Sequence, residues 1–229
     1  MLAVISSGLS GRVGTVLCAL IVVFSVIGLT MHKDFYAGIP RRGFWCFYTN
    51  VSNLLVLVYF ALLAPRLYAA RRFRVIPHAE FGVMMSIMLT FCVFHFMLFP
   101  AIRKTVAHAE RTREYFIVCA DNFIVHYLVP LLVFAYWLLC SPGKERLRLF
   151  DALLWTAVPA VYLAVVLLRA GTGRIIAETG SPYPYPFLDA RALGGRAVAR
   201  TCLFLYAACA GAGAAMIALI RLFSAPLIK

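Results

Sequence analysis

Cys46, Thr49, Asn50 and Asn53 follow one another at i, i+3, i+4 and i+7, the spacing of one helical face, with Ser52 beside them. A threonine hydroxyl is a weak nucleophile until an adjacent base takes its proton. Side-chain amides are the kind of donor that steadies a developing oxyanion. The base candidate is His126, four residues beyond Asn122 and therefore stacked on the same helical face. Asp121 cannot orient His126 from within its own helix, because five residues turn the two side chains about 140° apart. The chemistry this set suggests is acyl transfer: Thr49 as nucleophile, His126 as general base, and Asn50, Asn53 and Asn122 as polar support. Each residue has a plainer reading too. Thr49 is equally a hydroxyl bonded back to its own helix, the asparagines are interhelical hydrogen-bonding residues, and His126 is a satisfied buried histidine. A reading from another class pairs His95 with His126 as axial ligands of one haem.

These residues lie where hydrocarbon should be. The chain has 229 residues, 63% of them hydrophobic and 14% charged, against about 25% charged in an ordinary soluble domain. A water-soluble domain and a disordered tail are both excluded. Six apolar segments, approximately 13–31, 44–64, 80–99, 115–139, 151–168 and 197–220, each approach the length of about 20 residues that a helix needs to cross a bilayer. Continuous apolar runs, rather than short alternating ones, select helices over an outer-membrane barrel. The expected fold is all-α: a single six-transmembrane-helix bundle. The first segment reads as a retained helix, because Met31, His32 and Lys33 do not form a small-residue cleavage site.

The 22 basic and 9 acidic residues belong to loops and orientation, not to nucleic acid. The compact second loop (Arg66, Arg71, Arg72, Arg74) and fourth loop (Lys144, Arg146, Arg148) are denser in basic residues than the first, third and fifth, which favours cytoplasmic N and C termini. A transporter of charged solutes would call for midplane charges, and Asp121 is the sole acid plausibly at depth. The seven cysteines form no CxxC pair and read as small buried hydrophobes. No metal site or cofactor is expected. The small residues from Ala207 to Ala215 in the last segment read as a tightly packed helix face.

Depth gathers the polar residues. Thr49 lies five residues after Phe44, and His95 five before Pro100, so each is about 8 Å into its helix from the same side. His126 reaches a similar level when its helix is counted from Asp121. A shared cavity on the side of the first, third and fifth loops is therefore expected. The fifth loop carries Pro182, Pro184 and Pro186 at alternate positions, which favours an extended path with Tyr183, Tyr185 and Phe187 projecting and Asp189 at its end. It reads either as a mouth for an apolar substrate or as an interfacial aromatic anchor. Tyr183, Tyr185, Asp189 and His95 are the candidates for binding or orienting a substrate.

Three motifs, FYTNVSNLL (Phe47 to Leu55), DNFIVHYLVP (Asp121 to Pro130) and YPYPFLD (Tyr183 to Asp189), together resemble the androgen-induced and androgen-dependent six-transmembrane protein family, over essentially the whole chain and in the same order. Animal members of that family hydrolyse fatty acid esters of hydroxy fatty acids with an intramembrane threonine and a histidine from a later helix. The resemblance implies that these are Thr49 and His126. It also implies no cofactor, a lipid-like small-molecule substrate, and membrane lipids as the protein's surroundings. The Thr-Asn-x-Ser-Asn form around Thr49 is that of the bacterial branch, which implies a bacterial cell membrane.

Overall fold

The computed structural model describes residues 2–32, 43–68, 76–100, 102 and 113–224. Of the basic residues used above for orientation, Arg71, Arg72 and Arg74 lie outside this set, as does Lys33.

Six helices are long and apolar enough to cross a membrane, and no strand occurs among the described residues. The protein is an all-α, multi-pass membrane bundle. Helix α1 is Leu2–His32. A short turn, Phe44–Cys46, precedes α2, Tyr48–Tyr68. Helix α3, Pro77–Val93, runs on through a widened π-turn at Phe94–Leu98. Helix α4 starts as Arg113–Phe123, passes through a second π-turn at Ile124–Leu128, and ends as Val129–Cys140. Helix α5 comprises a first turn, Asp151–Leu154, and the main run Ala157–Gly171. Helix α6 is Gly195–Ser224.

Both π-turns end two residues before a proline, Pro100 and Pro130. Proline offers no N–H to the carbonyl four residues earlier, and its ring crowds that carbonyl. Here those carbonyls belong to Phe96 and His126. An extra residue in the turn relieves the conflict, and such bulges are frequent at functional sites.

Helices α1 to α4 pack around one core that includes Ile21, Phe60, Phe81, Met84, Val133 and Trp137. Gly28 lets α1 approach α4 closely: a Cβ there would stand 2.8 Å from methyl groups of Ile124 and Val125. A second cluster, Tyr48, Val166, Tyr185, Leu188 and Val198, ties the start of α2 to α5, the fifth loop and α6. Helix α6 packs on the Asp151–Leu154 turn and on the fifth loop. Of its small residues, Gly213 meets Trp155 and Ala152, but Gly211 faces open space and Ala207, Ala208 and Ala212 are exposed. The expected tightly packed face is therefore limited to Gly213, with Cys209 and Ala214 packed against the core.

At the far end of the bundle from the fifth loop, Ser141 donates to buried Glu80 at 2.6 Å, and His78 pairs with Asp151 at 2.9 Å. Lys144 donates to the carbonyls of Trp137 and Leu138, closing the C-terminus of α4. Its partial burial lowers its pKa. All seven cysteines are free thiols.

Candidate active site

The site begins at the first turn of α2. Phe47 is extended and ends the preceding turn, so Cys46 is not on the α2 face with Thr49 as the spacing suggested. Its carbonyl accepts from the Tyr162 hydroxyl at 2.6 Å. The N–H of Tyr48, one of the donors a helix start leaves unpaired, goes to the hydroxyl of Tyr185 at 2.8 Å. Asn50, 1% exposed, donates to the Phe44 carbonyl at 2.6 Å. These contacts fix the helix start that presents Thr49.

Thr49 and His126 are brought together. Thr49 Oγ1 lies 3.2 Å from His126 Nε2, and both residues are buried, at 6% and 5% exposure. His126 Nδ1 lies 3.1 Å from the Asn122 carbonyl oxygen. A carbonyl only accepts, so Nδ1 carries the proton in the neutral ring and Nε2 presents its lone pair to the Thr49 hydroxyl. That is the tautomer a general base requires. Phe94 stacks on the imidazole at 3.7 Å between ring centroids, which fixes its plane.

Asn53 serves the frame and not the reaction. Its amide donates to the carbonyls of Thr49 at 2.8 Å and Val125 at 3.1 Å, committing both hydrogens. The oxyanion role expected of it is thereby excluded in this arrangement. Asn50 keeps one amide hydrogen uncommitted, because it makes a single donation. Asn122 donates to Val118 within its own helix and supports His126 through its backbone. Ser52 donates to the Thr49 carbonyl and shares a 2.7 Å contact with the Thr90 hydroxyl. Thr90, buried on α3, carried no sequence signal beyond its polarity.

His95 is not part of this group. It is exposed, its Nδ1 lies 3.1 Å from the Tyr127 hydroxyl, and it stacks on Phe91. It lines neither cavity described below. The haem geometry, with His95 and His126 facing one space, is not formed, since Nε2 of His126 is turned to Thr49.

Two cavities meet at Thr49, with Phe94, Leu98 and Tyr185 completing the shared wall. The first, about 350 Å³, is almost wholly apolar and runs between α3, α5 and α6 past Val93, Leu163, Leu167 and Leu205. Ala164, Leu167 and Tyr206 of its lining are also exposed on the outer surface of the bundle. The second, about 570 Å³, is more polar and includes His32, Asn50, Asn122, His126, Glu178 and Asp189. It lies on the side of the fifth loop, where the depth of the polar residues placed a cavity.

The fifth loop is more folded than an extended proline-rich strand. Ile176 and Ser181 pair as an isolated bridge, and Pro186–Leu188 forms a helical turn. Tyr185 stacks on Phe187, and Tyr183 lines the polar cavity. Burial raises the pKa of the Tyr185 phenol, with hydrogen bonding to Thr49 and Tyr48 pulling the other way. Asp189 accepts from Ser181 Oγ at 2.7 Å and from the N–H groups of Arg191 and Ala192. These bonds, the Ser181 one foremost, lower its carboxyl pKa. It is thus the cap of a helical turn that pins the loop, at the rim of the polar cavity. Arg169 holds the loop from the other side through the carbonyls of Arg174 and Pro182.

Sequence reading missed His32. The last residue of α1, it places Nδ1 2.8 Å from both carboxylate oxygens of Asp121, and its ring centroid lies 6.3 Å from that of His126. The signal was a histidine one helical turn beyond Gly28, the residue that lets α1 touch α4. Comparisons with protein-family models, curated proteins and solved structures find no match for this chain.

Proposed function

We propose that this protein is an intramembrane hydrolase of lipid esters with Thr49 as nucleophile and His126 as general base. The observation that carries the reading is the 3.2 Å contact of a threonine hydroxyl with a histidine Nε2 whose tautomer is set by a carbonyl, at the junction of an apolar and a polar cavity. The apolar cavity suits an acyl chain arriving from the bilayer, which sets the ester carbonyl beside Thr49. The polar cavity takes the alcohol side.

In acylation the Thr49 oxygen attacks the carbonyl carbon and its proton passes to His126 Nε2. The tetrahedral intermediate collapses as the bond from the carbonyl carbon to the alcohol oxygen breaks and a site imidazolium gives that oxygen a proton, leaving Thr49 esterified. Water then attacks the Thr49 ester, and the fatty acid departs as Thr49 regains its proton. The remaining amide hydrogen of Asn50 and the hydroxyl of Tyr185 are the donors placed to steady the oxyanion. The resemblance to the androgen-induced and androgen-dependent family supports the same assignment, with long-chain, branched fatty acyl esters as substrates and a bacterial cell membrane as setting.

The test is hydrolysis of a panel of long-chain esters by the purified full chain in detergent. Turnover by the wild type that falls by about 10²-fold or more in both Thr49→Ala and His126→Ala, the scale of losing a general base, supports the mechanism. Wild-type rates in both variants overturn it. Ligand binding without any turnover would make the protein a lipid-binding or transport protein instead.

A further inference from the structure

The carboxylate of this site orients a histidine other than the one beside the nucleophile. Asp121, 3% exposed, gives both oxygens to Nδ1 of His32 at 2.8 Å, while Nδ1 of His126 has only the Asn122 carbonyl. A carboxylate in contact with Nδ1 holds a proton on that nitrogen and fixes the orientation of the ring. His32 Nε2 makes no hydrogen bond among the described residues, and His32 lines the polar cavity. That is the side on which the alcohol of a substrate would lie. His126, clamped between Phe94 and the Asn122 carbonyl, has Nε2 turned to Thr49.

Resting on the hydrolase reading above, we infer that His32 is a second proton-transferring catalytic residue, giving a proton from Nε2 to the departing alkoxide and later taking one from the attacking water, while His126 serves Thr49 alone. The cycle balances. In acylation the Thr49 proton goes to His126, the Thr49 oxygen bonds to the carbonyl carbon, the bond from that carbon to the alcohol oxygen breaks, and protonated His32 supplies that oxygen with its proton. In deacylation water loses a proton to His32 and its oxygen bonds to the acyl carbon. The bond to Thr49 then breaks, and protonated His126 returns the proton to Thr49. Both histidines end as they began, and no other reactant is required.

The experiment compares two esters of one acyl group on the full chain in detergent: a p-nitrophenyl ester, whose leaving group departs without protonation, and a simple alkyl ester, whose alkoxide requires an acid. The readout is the single-turnover rate of alcohol release. In His32→Gln, release from the alkyl ester is expected to fall about 10²-fold, the usual scale of general acid catalysis, while the nitrophenol burst stays within about threefold of wild type and the Thr49 acyl-protein accumulates by intact mass. Asp121→Asn, which keeps His32 but removes its carboxylate, is expected to show the same selectivity and serves if His32→Gln does not fold. Equal loss with both esters, or loss with neither, overturns the assignment of His32. If Thr49→Ala still gives the burst, the hydrolase reading itself fails, whatever His32 does.

Discussion

Asn53 on α2 donates through its side-chain amide to the backbone carbonyl of Val125 on α4, 3.1 Å away and one residue before His126. The same amide holds the carbonyl of Thr49, so a single side chain couples the two helix segments that carry the nucleophile and the base. Replacing Asn53 with Leu removes the interhelical bond to the Val125 carbonyl and one of two side-chain bonds to the Thr49 carbonyl, which Ser52 still meets, at a cost of about 0.5–1.5 kcal/mol for each bond lost. A lowered unfolding temperature in detergent, with hydrolysis reduced alongside it, is the expected result. Thermal unfolding followed by circular dichroism measures the first part.

At position 49 the hydroxyl and the methyl can be separated. Thr49→Val keeps the shape and removes the oxygen, so hydrolysis is lost while the thermal midpoint stays near wild type. Thr49→Ser keeps the oxygen in a more freely rotating side chain, and retains measurable turnover at a reduced kcat. Steady-state kinetics on one ester separates the pair.

Gly28 allows α1 to touch α4, and a methyl added there would overlap with Ile124 and Val125. Gly28→Val forces α1 away and carries His32, one turn further along the same face, from Asp121. Overpacking of this kind costs about 1–3 kcal/mol. The expected result is a less stable protein whose alkyl ester hydrolysis falls more than its nitrophenyl ester hydrolysis. Side-by-side kinetics on the two esters checks it.

The apolar cavity sets acyl length. Leu163→Trp on α5 fills space next to Val93 and Leu205, all three being cavity-lining residues, and shifts preference to shorter acyl chains. Each methylene no longer buried forfeits about 0.8 kcal/mol, so a few carbons suffice to change the ranking of kcat/KM across a chain-length series. Cys202 and Cys209 line the same cavity. Their reaction with a membrane-permeant apolar thiol reagent is expected to be slowed by a bound long-chain ester analogue, as read by mass spectrometry.

Asp189 pins the fifth loop as a carboxylate, with its pKa lowered chiefly by Ser181. A carboxyl that is more acidic in the folded loop than in the open chain supports the loop above its ordinary value of about 3.9 and loses that support as pH falls through the lowered value. Loop protection from limited proteolysis is expected to hold through neutral and mildly acidic pH and to give way only below the usual aspartate range. Asp189→Asn is expected to show weaker protection already at neutral pH.

Hydropathy and helical spacing are local properties, and they were enough to place six helices and to put Thr49, Asn50 and Asn53 on one face of the second and Asn122 and His126 on one face of the fourth. The ends of helices were less legible. The break after Cys46 removed that residue from the face of Thr49, and the two prolines marked π-turns that regular spacing does not foresee. What the tertiary structure alone decided is which way each side chain turns. A helix apolar all round carries no amphipathic signal of its inward face, so nothing local distinguished His95, which faces outward beside Tyr127, from His126, which meets Thr49. His32 and Asp121 are 89 residues apart, and their pairing depends on how closely α1 lies against α4 at Gly28. The sequence alone determined a membrane bundle with polar groups at depth, because lipid admits few other arrangements of such a chain. Helix packing determined which of those groups share a cavity.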